Sequence, residues 1–598
     1  MHVGDAPAVP VRVPVLDTSA SFATPEHIAF TFRIAGPMIR FWAWLVDFIL
    51  RVAVMVVLAI PLALFDIELG IGIWLLLYFF VDWLLGGLIE WRWEGFTPGK
   101  KMCGIRVIGT DGLPAGAGSC FLRNVLRFAD SFPTFATGLI AMVASGRFQR
   151  LGDLAAGTLV VYADGGGNAR PVRFKDSKLD QAAHELPAEI QSVVDGTTLR
   201  AVVGYVARRA GLHPQRRAEM AKPLALALTA RLDLPPLKDA DLLLCAVYQR
   251  LAAPAGERGD LQVASRAAGY LARRQRTWAE TEDALKSRTP GGSARTVGGD
   301  PPPARFAALY RSACADLALA DAYHLPEATV GYLHHLVARA HLRFYRRLRI
   351  SWQRISHEIL VEVPGRLYGD GCLRTALLAF YGTFFLSALL GWADPASAQA
   401  YLSEGMVDDL KDMYAEAPNH RSAEQGGMMY GFYISNNVGI TLACFASGIF
   451  AGIGSLLWLA ANGVFLGFCF GYMTTVDATT KLHFFEFVTA HGPFELTGIA
   501  LGGAAGLRLG LGLVRTRGLP RLASLMRSAR ESVPIIAVAA VLVATAAPIE
   551  AFVSPSGLPW AAKGVVSLVC ALLLVFYLVV LGRRAQGRMN IRLDDDAS

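Results

Sequence analysis

A histidine, a proline and a glutamate stand at the start of a long apolar stretch in the last fifth of the chain. Residues 489–501 read TAHGPFELTGIAL, with His491 and Glu495 four residues apart. Side chains at this spacing share one face of a helix. Pro493 suits the first turn of a helix, where its missing N–H leaves no hydrogen bond unmade. We therefore predict a helix that starts at Pro493 with both ionisable side chains near its N-terminus.

Three further polar residues belong to neighbouring apolar stretches. Asn436 and Asn437 open one of these stretches, and Glu550 closes another. With the membrane topology derived below, all five polar side chains come to the same outer third of the membrane. A charged side chain costs roughly 2.5–3.5 kcal/mol at the bilayer centre on insertion scales and less near the interface, so these side chains need partners.

Three kinds of chemistry fit this predicted cluster. A polar vestibule for an ion, a proton or a small solute would use Glu495 and Glu550 as exchangeable charges, His491 as a proton group and the asparagines as neutral ligands. A structural network would use the same side chains to hold helices together. A metal-assisted hydrolase would need the histidine and both glutamates as ligands, plus an activated water.

We expect a protein without enzymatic activity. The sequence contains no HExxH, GxSxG or GxxxxGK[ST] motif, which argues against a metalloprotease, a serine hydrolase and ATP hydrolysis. A lone histidine and glutamate at helical spacing are a weak metal signal. We therefore predict no catalytic residue, no cofactor and no bound metal.

Two rows of glycine recur every four residues in neighbouring apolar stretches. Such rows let membrane helices approach each other closely. Glu495 lies one turn before the longer row, so we expect it to face another helix and not lipid. Asn462 lies nearer the inner end of its stretch and should be separate. The glycines are Gly498, Gly502, Gly506 and Gly510 in the longer row, and Gly463, Gly467 and Gly471 in the other.

The composition is that of a membrane protein with a sizeable aqueous part. Of 598 residues, 53% are hydrophobic and 18% are charged, against roughly 25% charged in soluble domains. The net charge of +8 comes with arginines that follow apolar stretches and lack interleaved aromatic residues, so nucleic acid is not an expected partner. The eight cysteines form no CxxC pair, which argues against a disulfide framework or a zinc ribbon.

Eight apolar stretches have the length of about 20 residues that crosses a bilayer. The acidic loop 393–430 should face outside, whereas the arginine-rich turn 512–533 and the tail after 582 should face the cytoplasm. We predict an all-α polytopic protein of the bacterial inner (plasma) membrane with both termini cytoplasmic and no cleaved signal peptide. The spans are 42–65, 69–89, 372–392, 431–453, 456–474, 485–511, 534–553 and 562–582.

Residues 119–146 are apolar but contain charged residues and a proline. Two β-like stretches, 104–112 and 157–163, flank this segment and could pair, which would place both on one side of the membrane. We therefore predict a surface-lying or re-entrant helical hairpin at 119–146, the alternative being a single crossing. The paired stretches would add a small β-hairpin element to the helical fold.

The stretch from about 165 to 371 is polar and shows helical spacing. It predicts two small helical units, about 178–255 and 260–365, with a flexible linker at 289–303. The second unit is rich in histidine, but the spacing repeats no metal-ligand pattern, so we expect core or surface histidines. These are His334, His335, His341 and His357.

The first 165 residues resemble the RDD membrane family. The similar motifs are IRFWAWLVDFI at 39–49, TPGKKMCGIRV at 97–107 and RLGDLAAGTLVV at 150–161. The resemblance implies transport of unidentified ligands. It places the family's arginine and first aspartate at Arg40 and Asp47. Its second aspartate falls on Asp153, with Asp130 as a competitor, and Asp82 is a candidate neighbour of Asp47.

The part from about 266 to 582 resembles the stage II sporulation protein M family. The motifs are SNNV at 435–438, ANGVFLG at 461–467, HGPFEL at 491–496 followed by a glycine-rich run, and IEAFVSP at 549–555. The resemblance implies a membrane scaffold for peptidoglycan-degrading proteins of the cell envelope.

We therefore favour a permease- or channel-like protein with a polar site for an ion or small solute. The alternative is a non-enzymatic scaffold for cell-envelope remodelling. Expected partners are the lipid bilayer and either a second copy of the chain or other membrane or envelope proteins. The predicted domains are an N-terminal segment 1–38, an RDD-like membrane domain 39–165, a cytoplasmic helical domain 178–260, a helical part 261–370, a six-span membrane domain 371–582 and a cytoplasmic tail 583–598.

Overall fold

The computed structural model describes most of the chain, which divides into two compact units. Among the described residues, the first unit comprises Ile34–Val161 and the stretch from Ser351 to Gly587, and the second comprises Ser19–Arg33 and the stretch from Tyr162 to Phe344. The predicted linker falls almost wholly outside the described residues. The residues left out are 1–18, 24–28, 133–135, 164–176, 188–189, 191–193, 195–197, 199–200, 203–204, 207–208, 210–213, 233–238, 252–260, 287–302, 323–326, 345–350, 417–420 and 588–598.

Four short strands form two pairs. In the second unit, β1 (Ser19–Ala23) pairs antiparallel with β2 (Ala29–Arg33). In the first unit, β3 (Ile105–Gly109) pairs with β4 (Thr158–Tyr162, whose last residue is assigned to the second unit). Their β-branched and apolar residues are buried, and their pairing is the one that the sequence predicted.

The N-terminal part of the first unit consists of two long helices and five short ones. Residues 119–146 form three of the short helices, of which α6 folds back on α5 through the Thr137 hydroxyl, 2.8 Å from the Ala129 carbonyl. Each is too short to cross a membrane. The helices are α1 (Pro37–Phe65), α2 (Ile67–Arg92), α3 (Pro98–Met102), α4 (Ala117–Val125), α5 (Arg127–Ser131), α6 (Ala136–Ala144) and α7 (Leu151–Ala156).

The second unit is helical. Helices α8 (Ser177–Glu185), α9 (Pro214–Leu232) and α10 (Ala240–Leu251) pack around one apolar core. Helices α11 (Leu261–Lys286), α12 (Pro303–Ala322) and α13 (Glu327–Phe344) pack on one another.

The buried His341 lies in this second helical group, with its Nδ1 atom 2.9 Å from the Tyr310 hydroxyl. It is a hydrogen-bonded core histidine.

The C-terminal part of the first unit contains most of the long helices. They are preceded by α14 (Trp352–His357) and α15 (Val363–Leu367). The remaining helices are α16 (Gly371–Ala393), α17 (Pro395–Leu402), α18 (Glu404–Ala415), α19 (Ala423–Tyr433), α20 (Gly439–Ser447), α21 (Ile453–Met473), α22 (Ala478–Thr489), α23 (Gly492–Val514), α24 (Arg521–Val553) and α25 (Trp560–Gly587).

Seven of the described helices are long and apolar enough to cross a membrane, namely α1, α2, α16, α21, α23, α24 and α25. The fold class predicted from the sequence, a helical polytopic membrane protein with a small β-element, is confirmed. The stretch 431–453, predicted as an eighth span, is not in this set. It covers the end of α19, the π-helical turn Ile434–Val438 and all of α20. The turn joins α19 and α20 into one helix. Two adjacent asparagines in that turn make the helix more polar than the other seven.

The long helices of the first unit have two distinct ends. The loop between α16 and α19 is acidic, and we call this side the acidic end. The turn 515–520 between α23 and α24 carries arginines and marks the opposite, basic end. Helix α19 packs on the start of α2, where Gly72 and Gly431 are so close that a methyl group on Gly431 would lie 2.1 Å from the Gly72 carbonyl. The RDD-like helices and the C-terminal helices therefore belong to one unit.

The glycine rows predicted from the sequence lie at helix contacts. A methyl group on Gly506 would lie 2.3 Å from the Ser455 hydroxyl, and one on Gly510 would lie 2.0 Å from the Gly452 nitrogen. On α21, methyl groups on Gly463, Gly467 and Gly471 would each come within 2.5 Å of an atom of α16. Helix α23 is thereby enclosed by its neighbours: 72% of the residues in its apolar 18-residue stretch are buried within the chain.

These glycine contacts predict a strong difference between two alanine substitutions. Gly510→Ala should lower the free energy of unfolding by at least about 1–3 kcal/mol, because the methyl group overlaps backbone atoms. Gly564→Ala, near the start of α25 at a position where nothing lies within 4 Å, should be neutral or slightly stabilising. Thermal unfolding in detergent measures both. Equal melting temperatures for the two variants would contradict the close helix contact.

The charge distribution predicts which end faces outside. Ala400 is exposed in the acidic loop and Leu519 is exposed in the basic turn. In right-side-out membrane vesicles, Ala400→Cys should react with a membrane-impermeant maleimide above the background of the parent. Leu519→Cys should react after permeabilisation alone. The reverse pattern would overturn the assigned orientation.

Candidate functional site

His491, Glu495 and Glu550 converge at the acidic end of the long helices. His491 caps α23, whose first turn contains Pro493 and Glu495, so the helix begins one residue before the predicted start. The Nε2 atom of His491 lies 3.7 Å from Oε2 of Glu495 and 4.0 Å from Oε1 of Glu550. The His491 and Glu550 residues are only 6% and 7% exposed. The convergence that the sequence predicted is therefore present.

The two asparagines extend the cluster as a chain of hydrogen bonds. Asn436 donates to the side-chain oxygen of Asn437 at 2.8 Å, and Asn437 donates to Oε2 of Glu550 at 3.1 Å. Both asparagines lie in the π-helical turn between α19 and α20, and Glu550 lies in a second π-helical turn, Ile549–Val553. Turns of this type often occur at functional sites because the extra residue redirects side chains. Sequence periodicity did not indicate either turn.

Three residues near the cluster, Ser554, Lys563 and Arg421, were not identified from the sequence. Ser554 lies 2.9 Å from Nδ1 of His491, which directs the opposite ring nitrogen toward the glutamates. The buried Lys563 donates to the Ser554 carbonyl at 2.8 Å. Arg421 lies over the ring of Phe487 at 5.4 Å and near enough to Glu550 and to Tyr433 to interact with both.

The sequence held a signal for part of this set. Ser554 falls within the IEAFVSP motif, and Arg421 is one of two basic residues in the acidic loop. Lys563 is a lone charge at the start of an apolar helix, and a charge at membrane depth is a signal of a polar site.

The arrangement can hold a cation. One ligand atom from each of His491, Glu495 and Glu550 lies within 4.8 Å of the others, and among the described residues this is the one histidine, cysteine and carboxylate group with such spacing. Imidazole nitrogen and carboxylate oxygen together suit divalent transition-metal ions. The same two carboxylates can instead share a proton. The geometry is thus compatible with a metal ion or a proton, although the sequence predicted no metal.

Asn462 lies apart from this cluster. It donates to the Trp458 carbonyl one turn earlier in its own helix at 2.7 Å. As the sequence predicted, it does not join the other polar residues.

A second polar network occupies the N-terminal part of the unit, at the basic end. Its centre is Asp153, which is fully buried. Asp153 accepts a hydrogen bond from Arg40 at 2.5 Å and forms an ion pair with Arg123, whose Nε atom lies 2.9 Å from Oδ1 of Asp153. The arginine and the second aspartate that the RDD resemblance singled out are therefore ion-paired.

Several partners in this network were not assigned a role from the sequence. Glu90 pairs with Lys100 and, at 3.2 Å, with Arg123. Arg150 lies 3.5 Å from Asp130 and 3.6 Å from Asp153. The competitor Asp130 thus lies beside Asp153 in the same network.

The remaining two aspartates have different partners. Asp47 accepts hydrogen bonds from the Thr97 hydroxyl at 2.5 Å and from the Gly99 nitrogen at 2.7 Å, which anchors α1 to the start of α3. Asp82 pairs with Arg127 at 2.6 Å and with Arg51 at 3.8 Å. Asp47 and Asp82 thus have different hydrogen-bond partners, and Arg51 lies between them, 3.3 Å from the Asp47 carbonyl and 3.8 Å from the Asp82 carboxylate.

The two acids of the network titrate in opposite directions. Burial alone would raise the pKa of Asp153, but the charges of Arg123 and Arg40 outweigh it and lower the pKa well below its usual range. Burial raises the pKa of Asp130 from 3.8 to about 6, and the more distant Arg150 offsets only part of this effect. Asp153 is therefore a permanent charge, and Asp130 is a proton acceptor near neutral pH.

Comparisons with known proteins identify three segments. Residues 34–157 match the RDD family, and residues 376–555 match the Stage II sporulation protein M family. Residues 268–346 match a Domain of unknown function (DUF8413), so the sporulation-family match begins later than the resemblance placed it. Both predicted resemblances are confirmed, in the predicted order along the chain.

A short part of the chain is similar to a curated protein. The chain is 39% identical over 83 residues to the Uncharacterized protein YckC of Bacillus subtilis (strain 168), an overlap of 13% of this chain and 55% of that protein. The chain thus spans about half the length of that relative. No solved structure matches the chain.

The raised pKa of Asp130 predicts a specific pH dependence of stability. Between about pH 4 and pH 6 the folded chain keeps the proton that the unfolded chain has lost. Its contribution to the free energy of unfolding therefore falls as the pH rises through this window, by on the order of 2–3 kcal/mol, and is constant above it. Asp130→Asn should flatten this part of the curve, measured as melting temperature against pH. The exposed Asp111→Asn serves as control, and parallel curves for Asp130→Asn and the parent would contradict the assignment.

Proposed function

We propose that this chain, which joins an RDD-family segment to a Stage II sporulation protein M segment, is a permease- or channel-like protein for a cation. The chain is a polytopic membrane protein by its helices and its families. The observation that carries the proposal is the convergence of His491, Glu495 and Glu550 within 4.8 Å at the acidic end. Such ionisable groups at membrane depth typically mark an ion or proton pathway.

The balance of hydrogen bonds supports a positively charged ligand. Oε2 of Glu495 is buried and accepts no hydrogen bond, although the carboxylate of Glu550 lies in the same cluster. Two carboxylates in surroundings poor in water repel each other unless a cation or a proton lies between them. A bound cation would satisfy the free oxygen and neutralise the pair.

The surrounding residues favour a divalent cation. Ser554 fixes the orientation of His491, and Asn437 fixes that of Glu550, as outer partners do around metal ligands. One nitrogen and two carboxylate oxygens are hard-to-borderline ligands that suit an ion such as Mn²⁺ or Zn²⁺. Protons would compete for the same atoms.

We place the acidic end outside the bacterial inner membrane and both termini in the cytoplasm. The acidic loop and the arginine-rich turn support this orientation. The cation would then reach the cluster from outside. The two π-helical turns that carry Asn437 and Glu550 are the points at which α20 and α24 can change backbone hydrogen bonds with little cost, so release toward the other side would begin there.

The proposal treats the cluster as a binding site without catalytic chemistry. It also includes association with a second copy or with other envelope proteins. Helices α1 and α25 support this association. Just 6% and 11% of the residues in their apolar 18-residue stretches are buried within the chain, which leaves their surfaces open to a partner.

A scaffold in the cell envelope is the second candidate function. The observation that favours it is that the cluster's contacts between helices link separate parts of the fold. Asn437 connects the α19–α20 helix to Glu550 of α24, and His491 connects the start of α23 to Ser554. A scaffold would use the cluster to hold its outer surface in shape.

Two substitutions separate the candidates. Glu495→Gln and Glu550→Gln keep the size of the side chains and remove the exchangeable charge. In reconstituted vesicles, each should reduce Mn²⁺ uptake by about tenfold or more, since one charged ligand contributes on the order of 1.5–3 kcal/mol, while the melting temperature stays the same or rises. The exposed Glu404→Gln, in the acidic loop, should transport like the parent.

The opposite result would support the scaffold. If both glutamine variants take up Mn²⁺ at the parental rate, or if the parent takes up none, the transport proposal fails. A scaffold further predicts that co-purification of envelope proteins depends on the cluster, whereas a permease predicts that Glu495→Gln and Glu550→Gln leave it unchanged.

A further inference from the structure

A large cavity lies in the N-terminal part of the first unit. It has a volume of about 1050 Å³ and is bounded by α1, α2, α3 and the short helices α4 to α6. This space is far from the cluster at the acidic end, because its charged residues lie toward the basic end of α1 and α2. The proposed cation site therefore does not involve it.

One wall of the cavity is apolar. Phe41, Leu50 and Val54 of α1 line it, together with Leu139 and Met142 of α6. The first three and Leu139 are 42–51% exposed, although they line a cavity. The wall is thus continuous with the outward surface of α1, which faces the hydrocarbon of the membrane.

The other wall is strongly basic. Six basic side chains line the cavity against three acidic ones, Asp47, Glu90 and Asp130. The buried Asp153 lies behind this wall and is ion-paired with Arg40, Arg123 and Arg150. The basic residues are Arg40, Arg51, Lys100, Arg123, Arg127 and Arg150.

Two of these arginines are unevenly paired. Most of the basic wall belongs to the network around Asp153, where each arginine contacts a buried carboxylate. Arg51 and Arg127 instead both contact the carboxylate of Asp82, at 3.8 Å and 2.6 Å, and Arg51 also donates to the Asp47 carbonyl at 3.3 Å. Arg51 lies about four turns into α1, at a depth where an excess positive charge is costly without an anion.

We propose that this cavity binds an anionic phospholipid, with its phosphate between Arg51 and Arg127 and an acyl chain along the apolar wall of α1 and α6. A phosphate adds the negative charge that Asp82 alone does not supply, and arginine binds phosphate oxygens through two N–H groups at once. A lipid fits better than a soluble phosphate because the apolar wall opens to the membrane. The acyl chain of the bound lipid would cover this wall.

Arg51 and Arg127 are the proposed headgroup ligands, and the ion-paired network around Asp153 holds the helices that carry them. Arg40, Arg123 and Arg150 fix α1, α4 and α7 around Asp153. This role makes them poor positions for a test, since substitution leaves a buried carboxylate unpaired. Arg51 and Arg127 are 20% and 18% exposed as side chains and lie at the edge of this network.

The test measures lipid retention by the full chain in detergent. Native mass spectrometry after incubation with phosphatidylglycerol or phosphatidylcholine should show one retained phosphatidylglycerol and a clear preference over phosphatidylcholine. Arg51→Gln and Arg127→Gln should each reduce this preference by about fivefold, the contribution of one basic residue to anionic lipid binding. Arg92→Gln, an exposed arginine at the end of α2 outside the cavity, should retain lipid like the parent.

Two further measurements distinguish the sources of phosphate and guard against misfolding. Inorganic phosphate at millimolar concentration should not displace the lipid; binding of phosphate without lipid retention would overturn the proposal in favour of a soluble anion. Val54→Trp should fill the apolar wall and exclude the lipid while all arginines remain, and Arg127→Lys should keep part of the preference. Equal retention of both lipids, or equal loss in Arg92→Gln, would also overturn it.

Discussion

Charged groups held away from water need partners, and this constraint organises both halves of the membrane unit. In the N-terminal half, Asp153 is fully buried and is compensated by Arg40 and Arg123, which come from two other helices. At the acidic end of the long helices, Glu495 and Glu550 approach each other with one histidine between them. The first group is closed because each of its buried carboxylates is paired with at least one basic side chain. The second is left short of positive charge, and for this reason we assign binding to the second and support to the first.

Close packing by glycine makes the second group possible. Gly506 and Gly510 bring α23 against the turn that follows α20, while Gly72 and Gly431 bring α2 against α19. Each contact fixes the height of one helix relative to the next, so polar residues from three separate segments of the chain reach one level. The π-helical turns then direct the side chains of Asn437 and Glu550 toward the cluster. The same constraint applies to the cavity near α1, where Arg51 and Arg127 have one carboxylate between them.

The cluster was predictable because its depth follows from charge bias and chain order alone. His491 and Glu495 share a helix face by spacing, and the order of spans brought Glu550 to the same end. The partnerships of Ser554 with His491 and of Arg123 with Glu90 were not predictable, since they join residues 63 and 33 positions apart through tertiary packing. The π-helical turn within the predicted span 431–453 was not predictable, because a regular helical period cannot reveal a turn that breaks it.

The most direct test of the central claim is the ligand environment of a bound ion. Pulsed electron paramagnetic resonance of Mn²⁺ added to the purified chain detects the ¹⁴N nucleus of a coordinating imidazole. The account predicts one Mn²⁺ per chain, with nitrogen modulation that disappears in His491→Gln. The modulation should persist in the control His483→Gln, because His483 lies outside the cluster and contacts the Tyr414 carbonyl. A spectrum of fully hydrated Mn²⁺ from the parent, or nitrogen modulation that survives His491→Gln, would contradict it.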